Sequence, residues 1–253
     1  MSQLGIVDWG IGGVGIYARV KSQLGNIPVI YFSDTGATPY GKMSRRELIA
    51  RLNIVLAFLR GQGVTHLVVG CNAASTVLPF LDIEQMKVAG VIESAIRATE
   101  SMHPTKLALI GGRRTVLSGV YRRAFAERGI KLRQRIAQPL SGRIESGDVS
   151  SATLRQQCRD ILAPVRNHSH VLLACTHYPA IMRILKECVS KHTALIDPAA
   201  ELVSRIKRWN LPRGGTDTFL TSGEPDKMQI SASNAFGIKI KAVERLNIRS
   251  TPR

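Results

Sequence analysis

The chain carries one short pattern twice, and this repeat limits the folds that it can adopt. Residues 65–71 read Thr-His-Leu-Val-Val-Gly-Cys and residues 169–175 read Ser-His-Val-Leu-Leu-Ala-Cys, so two matched apolar runs end on cysteines 104 residues apart. A short, continuous apolar run is typical of a strand that is buried on both faces of a parallel sheet. The repeat therefore predicts two similar halves, each with a buried strand that ends at a cysteine.

Short apolar runs alternate with helical patterns along the whole chain, which favours an α/β architecture with parallel sheets. The clearest helical pattern runs from Ser44 to Arg60, where Ser44 and Glu47 form a capping box ahead of an apolar stripe at helical spacing. The runs that we predict as strands are Leu4–Val7, Val29–Phe32, His66–Val69, Val88–Val91, Leu107–Ile110, Ile130–Ile136, Val171–Leu173, Ala194–Ile196, Phe219–Thr221 and Ile238–Val243.

The predicted fold class is α/β, with two similar open parallel-sheet domains that face each other across a central cleft. The first domain would comprise residues 1–95 and a return segment from about 206 to 253, and the second would comprise residues 96–205. Ligands of open parallel sheets bind beyond the carboxyl ends of the strands. Because Cys71 and Cys175 both lie at such ends, we expect the active site at the domain interface.

The composition is that of an ordinary globular protein, with 44% hydrophobic residues in a chain of 253. No apolar run reaches the roughly 18 to 20 residues that a membrane-spanning helix needs, and the N-terminus lacks the pattern of a secretory signal. We therefore expect a cytoplasmic protein with no membrane partner. The four cysteines are too few to suggest a disulfide framework.

The formal net charge of +17 is unevenly distributed. Residues 1–100 contain 9 basic and 7 acidic side chains, whereas residues 101–253 contain 26 and 11. Such a surface attracts nucleic acid or anionic small molecules. Because aromatic residues make up only 5% of the chain and no nucleic-acid-binding motif is present, we interpret the excess as a solvated basic face. Nucleic acid is the less favoured partner.

Two chemistries compete at the repeated cysteines. A thiol at a helix N-terminus has a lowered pKa, and the residues after Cys71 and Cys175 could each begin a helix, which favours reactive thiolates. The alternative is a zinc site that uses both cysteines and His177. The chain has no C-x-x-C or H-x₃-H pair, which structural zinc sites usually need, so no metal is predicted. Cys158 and Cys188, inside helical stretches, are interpreted as packing residues.

A glycine-rich loop follows the first predicted strand. Gly10, Gly12 and Gly15 have the G-x-G-x-x-G spacing of a dinucleotide-binding loop, and Asp34 ends the next strand 19 residues later. Against this interpretation, Asp8 occupies the last strand position, where an apolar residue is expected. A loop rich in backbone donors at a helix start can equally hold a carboxylate. The spacing alone leaves both interpretations open.

Six segments, in their order and spacing, resemble the glutamate racemases of the cofactor-independent aspartate/glutamate racemase superfamily. They are VDWGIGG, SDTGATPYGK, GCNAAS, RIESGD, ACTHYP and TSGEPDK, and the resemblance covers essentially the whole chain. It implies that the glycine-rich loop serves an amino-acid substrate rather than a dinucleotide, and that no cofactor is used. It also implies an isomerase that supplies D-glutamate for peptidoglycan.

The resemblance assigns a role to each candidate residue. Cys71 would deprotonate the D-enantiomer and Cys175 the L-enantiomer, with each thiol serving as the other's acid partner. Asp8 would assist Cys71, His177 would assist Cys175, and Glu145 would be an acid on the second side. Implied substrate contacts are Asp8, Trp9, Tyr40, Gly41, Asn72, Ala73, Ser75, Thr176 and His177.

Two positions depart from the family pattern. The family's Asp-Ser-Gly is Asp8-Trp9-Gly10 here, and its Cys-Asn-Thr-Ala is Cys71-Asn72-Ala73-Ala74. The missing Ser and Thr hydroxyls bind the amino acid in the family, and each lost hydrogen bond is worth about 1 kcal/mol. Three functions therefore stay open: a glutamate racemase, the same fold acting on another acidic amino acid or carboxylic acid, and a weak relative with a regulatory or nucleic-acid-binding role. A homodimer is an open alternative to a monomer.

Overall fold

The computed structural model describes residues 3–211 and 213–248, which form two parallel sheets. The six-stranded sheet has the order β10-β9-β2-β1-β3-β4, and the four-stranded sheet has the order β6-β5-β7-β8. The strands are β1 Gln3–Asp8, β2 Val29–Ser33, β3 Val64–Val69, β4 Lys87–Gly90, β5 Leu107–Gly111, β6 Leu132–Ile136, β7 His170–Ala174, β8 Ala194–Ile196, β9 Thr218–Thr221 and β10 Glu244–Arg245.

Helices connect the strands and cover both sheets. They are α1 Val14–Leu24, α2 Arg45–Gly61, α3 Asn72–Ser75, α4 Val91–Glu100, α5 Arg113–Leu117, α6 Val120–Ala126, α7 Gln138–Glu145, α8 Ala152–Leu162, α9 Met182–Glu187, α10 Ala199–Ile206 and α11 Pro225–Phe236. Short 3₁₀ turns lie at Leu78–Phe80, Ala163–Val165 and Tyr178–Ile181. None of the helices in the described part of the chain has the length and apolar character needed to cross a bilayer.

Strand residues alternate between two apolar layers, as the period of a strand requires. Along β2, Val29 and Tyr31 join a core that also contains residues of the second sheet, whereas Ile30 and Phe32 pack in a layer with α2. Every β2 residue is buried, because helices cover both faces. This is why the strands read as continuous apolar runs in the sequence.

The predicted start of α2 is confirmed in detail. The Ser44 hydroxyl accepts a hydrogen bond from the Glu47 N–H at 3.2 Å, and the Glu47 carboxylate accepts one from the Ser44 N–H at 2.7 Å. Two of the N–H groups that a helix start leaves unpaired are thereby satisfied. The helix then runs through Gly61.

The predicted strand at Ile238–Val243 is wrong, because a two-residue strand lies at Glu244–Arg245 instead. The Gln229 side chain, from α11, donates to the Ile240 carbonyl at 2.9 Å and to the Lys241 carbonyl at 3.3 Å. These carbonyl groups are therefore occupied by a side chain and do not take part in a sheet ladder.

The two sheets use different parts of the chain. Strands β1 to β4 and the returning β9 and β10 form the first sheet, and β5 to β8 form the second. The predicted boundary at residue 95 falls inside α4, and the boundary near 206 falls at the end of α10. The sheets bring the carboxyl ends of β1, β3, β5 and β7 to the surfaces of one cleft, where Asp8, Cys71, Gly112 and Cys175 lie.

Candidate active site

A cavity of about 430 Å³ lies between the carboxyl ends of the two sheets. This size is in the range of small-molecule sites. Its lining comes from both halves of the chain: Asp8, Trp9, Pro39, Tyr40, Gly41, Lys42, Cys71, Asn72, Ala73, Gly112, Arg113, Thr115, Gln138, Ser141, Gly142, Ala174, Cys175, Thr176 and His177. The fold therefore brings the two repeated cysteines to one cavity, as predicted.

Cys71 lies beside Asp8 on the first-sheet side of the cavity, and both residues are buried. Burial, followed by the charge of Asp8, raises the pKa of the Cys71 thiol well above its ordinary value. The Ala74 N–H, at the start of the one-turn helix α3, opposes this rise but is outweighed. The lowered pKa that the sequence predicted for Cys71 is therefore wrong, and Cys71 is a protonated thiol at neutral pH.

Asp8 joins the two sides of the cavity. Its Oδ1 accepts a hydrogen bond from the Trp9 N–H at 2.7 Å, and its Oδ2 accepts one from the Thr176 hydroxyl at 2.8 Å. Burial raises the pKa of Asp8, although the charge of His177 and these hydrogen bonds act in the opposite direction. A carboxyl group with a raised pKa next to a thiol is suited to proton exchange with it.

Cys175 has a different partner. Its Sγ lies 3.6 Å from the His177 Nδ1, and the His177 Nε2 lies 2.7 Å from the Glu145 Oε2. Burial alone would lower the pKa of His177, but its contacts with Cys175 and Glu145 raise it well above the ordinary value. His177 is therefore held between the Cys175 sulfur on one side and the Glu145 carboxylate on the other.

Glu145 contacts the His177 imidazole from outside the cavity. It ends α7, is not part of the cavity lining, and its Oε2 also accepts a hydrogen bond from the Ile11 N–H at 2.9 Å. The carboxylate is thus fixed by the glycine-rich loop on one side and by His177 on the other. The structure brings all five candidate acid–base residues together: Asp8, Cys71, Glu145, Cys175 and His177.

The glycine-rich loop is occupied by these same side chains. A Cβ at Gly10 would lie 2.1 Å from the Glu145 carboxylate, and one at Gly12 would lie 2.4 Å from the Thr176 hydroxyl. Asp34 is buried and bound by Tyr40 and Arg51. Neither the loop nor the acid is available to a dinucleotide, so that interpretation is wrong. The described residues also contain no group of three or more His, Cys, Asp or Glu side chains that could hold a metal.

Asn72 presents a free donor at the cavity. Its Oδ1 accepts a hydrogen bond from the Tyr121 hydroxyl at 2.7 Å, whereas its buried Nδ2 has no partner within the described part of the chain. An unpaired buried donor costs free energy unless a ligand satisfies it. The amide is therefore positioned to bind an acceptor group of a substrate.

Four other predicted contact residues line the cavity but offer few free hydrogen-bonding groups. The Trp9 Nε1 donates to the Ala37 carbonyl at 3.1 Å, and the Tyr40 hydroxyl donates to Asp34 at 2.8 Å, so both rings offer mainly apolar surface. Gly41 and Ala73 contribute backbone and a methyl group.

Ser75 does not line the cavity. Its buried hydroxyl donates to the Val69 carbonyl at 3.2 Å and so supports the end of β3. The predicted substrate contact at Ser75 is corrected on this ground.

The sequence interpretation missed several polar residues of the cavity, most of them in the second half. Thr115, Gln138 and Ser141 line the cavity, as do the cations Lys42 and Arg113. Arg113 directly follows the β5 strand and Gly112, a position at the carboxyl end of a parallel strand that could have been recognised in advance. Arg113 belongs to the basic excess of residues 101–253, which the sequence analysis interpreted as a solvated face.

Comparison with known proteins agrees with this geometry. A sequence model of the family described as Asp/Glu/Hydantoin racemase matches residues 4–206. The glutamate racemase of Desulforudis audaxviator is 31% identical over 235 residues, which cover 90% of this chain and 86% of that protein.

Solved structures share the whole fold. Glutamate racemase isoform RacE1 from Bacillus anthracis superimposes with a TM-score of 0.87 at 24% identity and covers 97% of both chains. The Francisella tularensis glutamate racemase, solved in complex with D-glutamate, has a TM-score of 0.87 at 22% identity and covers 98% of both chains. The family match, together with the two-sheet fold of the solved relatives, shows that the chain belongs to the Asp/Glu/hydantoin racemase family and is a racemase.

Proposed function

We propose that the chain interconverts L- and D-glutamate without a cofactor, by two-base proton transfer at Cα between Cys71 and Cys175. The observation that carries this proposal is the pair of thiols on one cavity, one from each sheet, each beside its own titratable partner. Racemisation requires removal of a proton from one face of Cα and delivery to the other. Two thiols that approach from different sheets suit that requirement.

The charge state of the site favours a definite starting point. With Cys71 as a thiol and Cys175 as a thiolate stabilised by His177, Cys175 takes the Cα proton of L-glutamate and Cys71 gives its proton to the opposite face. The original Cα–H bond breaks as its proton passes to the Cys175 sulfur. A new Cα–H bond forms with the proton of Cys71, so the thiol and the thiolate exchange places. Conversion of D-glutamate needs the opposite protonation: Cys71 has given its proton to Asp8, and Cys175 has taken one from the His177 imidazolium. The Cys71 thiolate then removes the Cα proton, and the Cys175 thiol delivers a proton to the opposite face.

Hydrogen-bond donors must stabilise the negative charge that develops when the Cα proton leaves, since no cofactor absorbs it. The free Asn72 Nδ2 is suited to the α-carboxylate, and the Asp8 carboxylate is suited to the α-ammonium. Lys42 and Arg113 place positive charge at the same cavity for the second carboxylate of glutamate.

Within this proposal, residues 1–95 with 206–253 form one domain and residues 96–205 the other, with the site at their interface. The product would supply D-glutamate for peptidoglycan, which implies action in the cytoplasm. Whether the chain forms a homodimer stays a prediction.

A second candidate keeps the reaction and changes the substrate to another acidic amino acid or a related carboxylic acid. Trp9 and Ala73 line the cavity where the family pattern has hydroxyl residues, and the indole Nε1–H of Trp9 already donates to the Ala37 carbonyl. Gln138 and Ser141 add polar groups on the opposite wall. Together these residues favour an acidic ligand of different length.

Circular dichroism and chiral chromatography of a panel of L-amino acids in deuterated water test both candidates. We expect loss of optical activity with glutamate, and the second candidate predicts faster loss with another acidic member of the panel. If no amino acid is racemised, the enzymatic proposal fails and a binding or regulatory role takes its place.

Variants of the two thiols test the assignment of the chemistry. We expect Cys71→Ala and Cys175→Ala each to abolish racemisation while the far-ultraviolet spectrum stays unchanged. Cys188→Ala is the matched control, because this partly exposed cysteine lies outside the cavity, and it should retain full activity. Undiminished turnover in Cys175→Ala would refute the two-thiol mechanism.

A further inference from the structure

A second pocket, here called the Glu145 pocket, adjoins the catalytic cavity at Trp9. It has a volume of about 310 Å³, and its lining includes Trp9, Thr35, Glu145, Ser222, Lys227 and Arg245. Trp9 lines both spaces, whereas Glu145 lines the Glu145 pocket and not the catalytic cavity. The Glu145 carboxylate therefore adjoins a different space from the one that holds the two thiols.

The Glu145 pocket is polar and open to water. Glu224 and Arg245, which both line it, form an ion pair at 3.0 Å with side chains that are 63% and 60% exposed. Lys227, in the first turn of α11, is exposed as well. The volume far exceeds the roughly 30 Å³ that one water molecule occupies in the liquid. Water therefore reaches the part of the Glu145 side chain that stays exposed, which is 12%.

A chain of close contacts connects this pocket to Cys175. The Cys175 Sγ lies 3.6 Å from the His177 Nδ1, and the His177 Nε2 lies 2.7 Å from the Glu145 Oε2. His177 also lines the catalytic cavity, but its Nε2 is occupied by Glu145. Imidazole and carboxylate groups both gain and lose protons, so they can pass a proton between solvent and a buried group.

The Cys71 side has a different surrounding. Asp8 is 1% exposed, and its two carboxylate oxygens accept hydrogen bonds from the Trp9 N–H and the Thr176 hydroxyl. Asp8 and Cys71 line the catalytic cavity and not the Glu145 pocket. Water reaches this side by way of the catalytic cavity, so a bound substrate obstructs it. The two thiols therefore differ in their access to solvent.

The proposed two-thiol reaction gives this difference a use. Conversion of L-glutamate adds a proton to the side of Cys175 and His177 and removes one from the side of Cys71 and Asp8. One proton must leave and another must enter before the same conversion can be repeated. A route for His177 outside the catalytic cavity lets one of these exchanges proceed while substrate or product is bound.

We propose that His177 exchanges its Nε2 proton with bulk water through Glu145 and the Glu145 pocket while the catalytic cavity is occupied. The Nε2–H bond of the imidazolium breaks as an O–H bond forms at the Glu145 Oε2. Glu145 then gives this proton to a water molecule in the pocket, and the reverse steps reload His177. The use of this route rests on the proposed function, whereas the exchange itself does not.

Saturation transfer from water to the His177 Nε2–H, measured by NMR on the full chain with isotope-labelled histidine, tests the route. His177→Gln identifies the signal by its loss. The measurement is made without ligand and with saturating racemic glutamate, whose composition stays constant while the enzyme turns over. We expect the exchange rate to change by less than about twofold when the cavity is filled, because the route of the proton lies outside it.

Lys227→Trp blocks the proposed route by placing a large ring at the edge of the Glu145 pocket. The exchange rate in the presence of glutamate should fall by about tenfold or more, because water is displaced from the Glu145 carboxylate. The matched control is Ile230→Trp, since Ile230 lies on the same helix, is 61% exposed and does not line the pocket. Lys227→Gln separates the loss of charge from the added bulk. Both controls should stay within about twofold of the parent.

Steady-state kinetics separate the route from a structural effect. In Lys227→Trp, kcat for L-glutamate should fall by about threefold or more, whereas kcat/KM should stay within about twofold of the parent. The reason is that kcat includes the return of the enzyme to its starting protonation state, whereas kcat/KM does not depend on the rate of that return. If Lys227→Trp does not fold, Arg245→Trp fills the same pocket from β10 and carries the same expectations.

Three results would overturn the proposal. The first is exchange of the His177 proton that falls by about tenfold when glutamate fills the cavity, since that result places the route in the cavity itself. The second is an equal effect of Lys227→Trp and Ile230→Trp on the exchange rate. The third is a kcat that is unchanged in Lys227→Trp or that falls in parallel with kcat/KM. A parent chain that racemises no amino acid would instead refute the proposed function, and the exchange rates of the unliganded parent and its variants would still show whether the route exists.

Discussion

Replacement of Glu145 by Gln removes the carboxylate that contacts His177 and leaves the size of the side chain almost unchanged. The Glu145 Oε2 lies 2.7 Å from the His177 Nε2, and the two side chains are 12% and 7% exposed. A hydrogen bond to a charged group in such a buried position is worth about 1.5–3 kcal/mol. The protonated form of His177 loses that stabilisation in the variant.

Two consequences follow from this magnitude. Because the Glu145 carboxylate stabilises only the protonated imidazole, its removal should lower the pKa of His177. In the proposed mechanism Cys175 acts beside a protonated His177, so we expect activity to be lost as pH rises through the His177 pKa. The alkaline limb of the kcat/KM profile should therefore move to lower pH, and kcat/KM at neutral pH should fall by about tenfold or more.

The assay is the initial rate of glutamate racemisation as a function of pH, measured in both directions. L- and D-glutamate have equal free energies in water, so kcat/KM must fall by the same factor in each direction. Glu224→Gln is the matched control, because Glu224 is an exposed acid that pairs with Arg245 at 3.0 Å. An unchanged rate and pH profile in Glu145→Gln would refute a role for Glu145 in holding the charge of His177.

Three further predictions concern the ligand and the fold. Trp9→Ser combined with Ala73→Thr should raise kcat/KM for glutamate at least about tenfold, since two recovered hydrogen bonds of about 1 kcal/mol each exceed that factor, and no gain in steady-state assays would contradict it. Asn72→Ala should lower kcat/KM about tenfold or more by removing the free amide donor, whereas an unchanged value would exclude Asn72 from substrate binding. Arg51→Met leaves the buried Asp34 charge uncompensated, so the free energy of unfolding measured in urea should fall by about 3–5 kcal/mol, and a loss below about 1 kcal/mol would contradict that reasoning.

The fold could be predicted from local patterns because helices cover both faces of the strands. The matched runs before Cys71 and Cys175 are β3 and β7, each an interior strand of its sheet, and both cysteines reach one cavity. The same reasoning failed at Ile238–Val243, where alternating apolar residues have the period of a strand. A side chain of α11 binds the carbonyl groups there, and no sequence pattern reports such a contact.

The site was only partly predictable, because its electrostatics depend on contacts between distant residues. Asp8 and Thr176 are bonded across 168 positions of sequence, and such pairs have no local pattern. The rule that a helix start lowers the pKa of a thiol predicted the wrong direction for Cys71, since burial and the Asp8 carboxylate outweigh the effect of a single helical turn. Ser75 was misplaced because a four-residue helix turns its hydroxyl back towards β3.

The most direct test of the two-thiol mechanism is the position of deuterium in the first few per cent of turnover of L-glutamate in deuterated water. In the proposed mechanism Cys71 and Cys175 act on opposite faces of Cα, so the proton removed by one is not the proton delivered by the other. We predict D-glutamate that carries deuterium at Cα while the remaining L-glutamate is unlabelled. D-glutamate that retains the original proton, or equal labelling of both enantiomers, would contradict the mechanism.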